Sequence, residues 1–385
     1  MTRISRLRRD QSGMTAVFVG FGLMAFLGAS MLAIDVGMVM TARSQAQNSA
    51  DAGALAGATA LVYDDFNNRT PTGPAVTSAI AASLANKVMG GPVTVTPPDV
   101  TFPTNPTTGV ANRVQVTVFR QVNTLIAKYF QIETADIRAV ATAEAAPSNA
   151  MQCVKPFTIP DKWIEKQNGP WDPEDTYEAY ANNGTPLANP DIYIPAYNAD
   201  GSANPNYTGY NNVRDKGTQL MIRAGNGNQI NSSMYFSLAM VNDTGGQDYR
   251  WNIMNCNTHR YIQGELLTLE PGSMMGPTVD GILDLVAQDP GARWVGGVGG
   301  HVENSAFGEH SPRIFPIPLY DPVYYDSGKR EGRNADLKTA NWIGFFVDQV
   351  SSNNIYGRIT PITGVYNSAG PAPNDAMPLM IRLVQ

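Results

Sequence analysis

The stretch MTAVFVGFGLMAFLGASMLAI, residues 14–34, decides the fold because none of its 21 side chains is charged. An α-helix needs about 20 mostly apolar residues to cross the hydrocarbon core of a bilayer. Asp35 and then a single arginine, Arg43, follow the stretch. The residues before it carry four arginines, Arg3, Arg6, Arg8 and Arg9, opposed only by Asp10. The positive-inside rule therefore predicts a cytoplasmic N-terminus and an exported remainder.

A cleaved signal peptide is the main alternative to an uncleaved membrane anchor. Signal peptides carry an apolar region of about 7–15 residues, followed closely by a small-x-small cleavage site. Here the apolar stretch is longer, and the best such motif, Ala50-Asp51-Ala52, comes well after it. These features favour a signal anchor over a signal peptide, and also over a buried core helix.

The helix is predicted to continue beyond the membrane through SQAQNSADAGALAGATA, residues 44–60. No proline occurs in residues 1–70, and small residues recur four positions apart, which places them on one helix face. We predict one helix over residues 14–62, with a small-residue stripe suited to close helix packing. The stripe contains Ala25, Ala29, Ala33, Gly37, Ala46, Ala50, Gly53, Ala54, Gly57 and Ala58. It could pack on the chain's own domain, on a partner helix, or on both.

The sequence as a whole predicts an α+β fold in four segments. They are a basic cytoplasmic segment (1–13), the helix (14–62), a small α+β module (63–148) and a mainly β domain (149–385). The module should contain helices at 75–89 and 121–130 and strands at 113–119 and 136–144. In the last domain we predict a helix at 279–288 and strands at 219–224, 233–241, 265–269, 313–319, 342–349, 355–360 and 379–384, with a hairpin turn at 351–354.

Charge and cysteine content restrict the function further. The chain has 385 residues and a net charge of −6, and its basic N-terminus makes the exported part more acidic still. This balance argues against nucleic-acid binding, which normally needs basic faces. Both cysteines, Cys153 and Cys256, fall on the exported side, where an oxidising compartment would let them pair. Two buried free thiols are the alternative.

No motif specifies a catalytic or cofactor site. His301 with Glu303, and Glu309 with His310, could seed a metal site, but solvated loop histidines are the favoured interpretation. A possible calcium loop lacks the glycine at its sixth position and the glutamate at its twelfth. That loop contains Asn198, Asp200, Ser202, Asn204 and Asn206. The glycines at 296–300 lack a phosphate-loop frame. We expect no catalytic residues, no cofactor and no small-molecule substrate.

Aromatic residues crowd the polar region between residues 163 and 210. They are Trp163, Trp171, Tyr177, Tyr180, Tyr193, Tyr197, Tyr207 and Tyr210. Such side chains can form a surface for glycans or protein partners. The favoured interpretation is that they cover the β-core beneath long loops.

The N-terminal segment combines three motifs: the basic RLRRDQSG, the apolar stretch, and AIDVGMVMTARSQAQNSADAGALAGA. The last contains the elements Asp35, Gly37, Gln47, Asn48, Ala50, Asp51 and Ala52. In this pattern the segment resembles the TadG-like branch of the TadE/TadG family, the tight-adherence (Flp) pilus-assembly proteins. The segment VQVTVFRQVNTLIAKYFQIETADIRAVATAEAAP is also similar to the strand–helix–strand continuation in the family. CVKPFTIPDKW and DGILDLVAQDPGARW resemble segments of some members.

The resemblance implies a non-enzymatic structural component of a pilus system, anchored in the bacterial inner membrane. It implies two kinds of partner: the lipid bilayer itself, and other pilus-assembly proteins or pilins, which are contacted through the Ala-rich helix. Phe18 stands where pilin-like relatives carry glutamate, and no Asp-x-Ser-x-Ser adhesion motif occurs. Polymerisation as a major pilin and a metal-dependent adhesion site are therefore not expected. The alternative is a membrane-anchored envelope carbohydrate-binding module or hydrolase.

Overall fold

The computed structural model has two compact units. It describes residues 12–64, 68–107, 109–181, 183–198, 200–211, 214–225, 229–241, 243, 245–330, 336–365 and 377–384. The first unit comprises the described residues up to Gly57, Thr70–Ala143 and the chain from Leu383 onward. The second comprises Ala58–Arg69 and Glu144–Arg382. Helices and strands occur in both parts of the chain, and the predicted α+β class is confirmed.

A single helix, α1 (Ser12–Tyr63), contains 52 residues. At 1.5 Å per residue it is about 78 Å long. The absence of proline and the abundance of alanine explain this length, because alanine has the highest helix propensity and an interior proline costs about 3 kcal/mol. The predicted long helix over residues 14–62 is confirmed.

The first unit adds one helix and an antiparallel hairpin to α1. Helix α2 (Pro74–Ala85) starts with proline, whose missing N–H is tolerated there. Strand β1 (Val100–Thr101) pairs with β2 (Arg113–Asn123), and β2 lies beside β3 (Thr134–Pro147). In β2 the buried side chains alternate along the strand, which is the pattern of a strand with one covered face.

The prediction of a helix at residues 121–130 is wrong. Strand β2 continues to Asn123, and only one 3₁₀ turn, Ala127–Phe130, follows it. The side-chain amide of Gln121 donates to the Asp136 carboxylate across the β2–β3 pair, at 3.0 Å. Long-range pairing of this kind overrides a local helical pattern because each cross-strand contact adds to the stability of the sheet.

The second unit contains most of the strands. They are β4 (Ala150–Met151), β5 (Phe157–Pro160), β6 (Gln219–Ala224), β7 (Met234–Ser237), β8 (Tyr261–Ile262), β9 (Leu266–Leu267), β10 (Arg293–Val295), β11 (His301–Glu303), β12 (Ile314–Tyr320), β13 (Leu337–Ser351), β14 (Asn354–Thr360), β15 (Ile362–Thr363) and β16 (Pro378–Val384). Its helices are α3 (Gly246–Met254), α4 (Met275–Gln288) and α5 (Pro322–Arg330). Helices α3 and α5 were not predicted from the sequence.

Six of these strands close into a barrel. Their order is β12-β5-β7-β6-β14-β13, and β13 pairs back onto β12. The β12–β5 and β6–β7 pairs are parallel, and the other pairs are antiparallel. Strands β13 and β14 form the predicted hairpin, in which Ser352 and Asn353 both have positive φ. Two-residue hairpin turns favour this geometry because it matches the twist of the strands.

Side chains fill the barrel, so it is a packed core. Phe157, Ile317 and Phe345 from three neighbouring strands are all fully buried in one cluster. Ile253 of α3 and Ile282 of α4 belong to the same cluster. In a barrel of this size the inward side chains leave no channel.

Candidate functional site: the anchor helix and its small-residue face

The first part of α1 exposes its apolar side chains all round. Phe18, Phe21, Met24 and Phe26 are all more than half exposed. Among the described residues, one helix, Gly13–Tyr63, is long and apolar enough to cross a membrane. A contiguous apolar surface of this kind usually marks a membrane or protein contact.

The second part of α1 buries a face of small residues, here called the small-residue face. It consists of Ala42, Ala46, Ala50, Gly53, Ala54 and Gly57. Beside it, the Ser49 hydroxyl donates to the Ser83 carbonyl oxygen of α2 at 2.9 Å. This bond and the absence of large side chains bring the backbones of α1 and α2 close together.

Two glycines of this face have no room for a side chain. A β-carbon at Gly53 would lie 2.9 Å from the Ala79 carbonyl oxygen of α2. A β-carbon at Gly57 would lie 2.8 Å from a methyl group of Val114 in β2, and 3.1 Å from the Ala75 carbonyl oxygen. All three distances are below normal van der Waals contact. The Gly53-x-x-x-Gly57 spacing therefore allows close packing within the chain's own first unit.

The predicted small-residue stripe thus divides into two parts. Ala46, Ala50, Ala54 and Ala58 are buried, like the two glycines. The remaining members, Ala25, Ala29, Ala33 and Gly37, are exposed. The arginines predicted to orient the helix, Arg3, Arg6, Arg8 and Arg9, lie outside the described residues.

Polar side chains in the segment that carries the family resemblance hold α1 against the rest of the first unit. The Gln47 amide donates to the Asp51 carboxylate at 2.8 Å and to the Val140 carbonyl oxygen at 3.1 Å. The Gln45 side-chain oxygen accepts from the Met89 backbone N–H at 2.8 Å. These bonds hold the helix in register with β3 and with the turn after α2.

Asp35 makes the most concentrated contact. Its carboxylate accepts from the backbone N–H groups of Leu125 at 2.7 Å, Ile126 at 3.0 Å and Ala127 at 2.5 Å. Its side chain is buried, although it directly follows the uncharged stretch. A carboxylate bound by several backbone N–H groups caps the start of a helical turn. Asp35 therefore fastens the Ala127–Phe130 turn to α1, a role that sequence reasoning missed.

Replacing Asp35 with alanine is expected to release this turn. The three backbone N–H groups would lose their acceptor, so their amide hydrogens should exchange roughly tenfold faster or more. Hydrogen exchange of the peptide covering residues 124–133, followed by mass spectrometry, measures the effect. Thr41→Ala is the matched control, since among the described residues the Thr41 hydroxyl bonds within α1, to the Gly37 carbonyl oxygen. Equal exchange in both variants would contradict the fastening role.

Two histidines of the second unit, His259 and His301, lie in small polar pairs. The His259 Nε2 lies 2.9 Å from the Glu265 carboxylate, and the His301 Nε2 lies 3.5 Å from that of Glu303. Within the described ranges, no group of three or more His, Cys, Asp or Glu side chains is placed to hold a metal ion. In the loop that resembles a calcium loop only in part, the Asp200 carboxylate accepts from the backbone N–H and the hydroxyl of Ser202. That loop is therefore a local polar turn.

The aromatic-rich region is built around a buried carboxylate, Asp161. It accepts from the hydroxyls of Tyr193 at 3.0 Å and Tyr207 at 2.7 Å, and from the Tyr210 backbone N–H at 3.1 Å. Tyr207 in turn accepts from the Asn341 amide of β13 at 2.9 Å. These bonds hold the aromatic segment against the barrel strands, as expected for a cover over the β-core.

Asp161 gives the second unit a defined pH dependence. Burial raises the pKa of its carboxyl to about 6 from 3.8, against the hydrogen bonds, which lower it. Between pH 3.8 and about 6, the Asp161 carboxyl is therefore protonated in the folded state and ionised in the unfolded state. The free energy of unfolding then falls as the pH rises through this range. Denaturant unfolding of Asp161→Asn and of the wild type is measured from pH 4 to 6. The slope of the unfolding free energy against pH should be less negative in the variant, by up to about 1.4 kcal/mol per pH unit. An unchanged slope would contradict the assignment.

These features define a protein with one candidate membrane-spanning helix, a small module packed on the continuation of that helix, and a mainly β region. Residues 13–60 match the Tad family model, whose description reads "Putative Flp pilus-assembly TadE/G-like". The match supports the resemblance to the TadE/G family, and it covers the apolar stretch and the small-residue face. Residues 61–385 lie outside it. No curated protein and no solved structure matches the chain.

Proposed function

We propose that this chain is a structural, non-enzymatic component of a tight-adherence (Flp) pilus system. Residues 14–34 anchor it in the bacterial inner membrane, with the arginine-rich N-terminus in the cytoplasm and the bulk of the chain in the periplasm or at the cell surface. It acts in pilus assembly, in bridging the envelope, or in adhesion. The observation that carries the proposal is the family match at residues 13–60.

Two features of the chain support this proposal. The apolar stretch ends at Ile34, and the next residue, Asp35, bonds to the turn after β2. The first part of the helix thus exposes apolar side chains, and its second part packs on a folded module. The Cys153–Cys256 disulfide suits export, because disulfides persist in oxidising compartments.

Partner pilus proteins are proposed to pack on the exposed part of the stripe. Ala25, Ala29 and Ala33 recur one helical turn apart, and small residues at this spacing let transmembrane helices approach closely. The buried part of the stripe already packs on the first unit, so the exposed part is the surface left for another helix.

A complementation experiment tests this function. A strain deleted for the gene is expected to lose surface Flp pili, and the wild-type gene is expected to restore them. Ala29→Leu with Ala33→Leu should lower the number of pili while the chain stays in the membrane fraction. Ala16→Leu is the matched control, because Ala16 lies about 140° and about 100° around the helix from Ala29 and Ala33, and therefore on a different face.

Three outcomes would count against the proposal. Normal piliation of the deletion strain would overturn the pilus role itself. Normal piliation of the double variant would overturn only the partner-helix contact. Equal loss in the double variant and in Ala16→Leu would indicate a general defect of the anchor instead of a specific packing face.

A further inference from the structure

The loop after β2 exposes four large apolar side chains within eight residues. They are Leu125, Tyr129, Phe130 and Ile132, here called the apolar loop, and they are between 52% and 79% exposed. Tyr129, the most exposed of the four, and Phe130 lie in the 3₁₀ turn, and Ile132 follows it. Apolar side chains that cluster on a surface in this way usually face a lipid or protein partner.

Asp35 determines where the apolar loop lies along α1. The Leu125 and Ala127 backbone N–H groups bond to the Asp35 carboxylate. Asp35 is the first residue after the uncharged stretch. The apolar loop is therefore held beside α1 at the level where the apolar segment ends.

The residue types of the loop match the interfacial region of a bilayer. Tyrosine is enriched at the level of the lipid headgroups, where its ring is buried and its hydroxyl stays wet. Lys128 lies between the apolar residues, and its ammonium is 5.4 Å from the centre of the Tyr129 ring. Lysine at such a depth keeps its charge among the headgroups while its stem lies along apolar surface.

We propose that the apolar loop inserts into the headgroup region of the outer leaflet of the membrane that α1 spans. This inference rests on the proposed membrane anchor. It makes the loop a second membrane contact of the first unit, beside the helix. Two contacts restrict the rotation and tilt of the unit, which a single helix leaves free. The unit would then present a constant face to its partners.

Site-specific fluorescence tests this contact. Both native cysteines are joined in the disulfide, so an introduced cysteine is the one free thiol for an environment-sensitive label. Tyr129→Cys places the label on the apolar loop, and Phe130→Cys repeats the measurement at a second position. The full chain is reconstituted into vesicles of phosphatidylcholine and phosphatidylglycerol. A fraction of the lipid carries a nitroxide quencher near the headgroup.

Two further positions serve as controls. Leu84→Cys labels an exposed apolar residue of α2, which is 41% exposed. Its neighbour Ser83 bonds to Ser49, which lies about 21 Å farther along α1 than Asp35. Phe21→Cys labels the middle of the apolar stretch and reports on the anchor itself.

The expected result is a blue-shifted, lipid-quenched label at Tyr129 and Phe130, with several-fold more quenching than at Leu84. A label at Tyr129 that behaves like the one at Leu84 would overturn the proposal. So would a blue shift without lipid quenching, which would indicate a protein partner. If Phe21 is protected from water while Tyr129 is not, the loop contact alone fails. If Phe21 is also exposed, the membrane anchor fails.

Discussion

Reduction or removal of the Cys153–Cys256 disulfide is expected to destabilise the second unit by about 4 kcal/mol. The bond closes a loop of 103 residues, between the chain before β5 and the end of α3. In the chain-entropy model a loop of about 100 residues contributes up to about 4.7 kcal/mol, because the cross-link restricts the unfolded chain. Lys155 depends on the same geometry, since its ammonium donates to the Asn255 carbonyl oxygen at 3.1 Å.

Denaturant unfolding of the Cys153→Ser/Cys256→Ser double variant measures this effect. All five tryptophans occur between residues 163 and 342, so their fluorescence follows the second unit. The midpoint should fall strongly relative to the oxidised wild type, and a reducing agent should shift the wild type but not the variant. Equal midpoints for the variant and the oxidised wild type would show that the disulfide adds no stability.

Gly57→Leu is expected to destabilise the first unit by about 3 kcal/mol or more. A β-carbon there already approaches Val114 and the Ala75 carbonyl oxygen too closely, so a leucine must push α1 away from α2 and β2. Inserting extra carbons into a closely packed site typically costs about 1–3 kcal/mol, and more where backbone must move. One of the obstacles here is backbone, the Ala75 carbonyl oxygen, which places the cost at the upper end.

Hydrogen exchange of β2 and β3 measures the effect of Gly57→Leu. A loss of about 3 kcal/mol corresponds to exchange roughly a hundredfold faster. Gly37→Leu is the matched control, because in the part of the chain that the structure describes no atom outside the helix lies within 4 Å of a β-carbon at Gly37. Wild-type protection in Gly57→Leu would mean that close packing on α2 does not hold the first unit together.

The parts of the fold that depend on local pattern were predictable from the sequence. The length of α1 follows from the absence of proline and the regular small residues. The strands β2, β12 and β14 follow from β-branched and aromatic residues. Closure of the barrel was not predictable, because β12 pairs in parallel with β5 across about 160 residues, and no local signal specifies that partner.

The candidate site was predictable only in outline. Residues four apart must share a helix face, so the members of the stripe could be named from their spacing. The surface that covers the stripe could not be predicted from the sequence, since it depends on where α2 and β2 pack. The role of Asp35 was missed for a similar reason. The available signal was a charged residue directly after the apolar stretch, but its partners lie about 90 residues away.

The most direct test of the membrane-anchored role is the mass and N-terminal sequence of the chain recovered from native cells. Cells are separated into a soluble fraction and an inner-membrane fraction washed with alkaline carbonate. The predicted result is a chain in the washed membranes that retains residues 14–34. A soluble chain that begins after Ile34 would show that the apolar stretch is a cleaved signal, and would contradict the anchor.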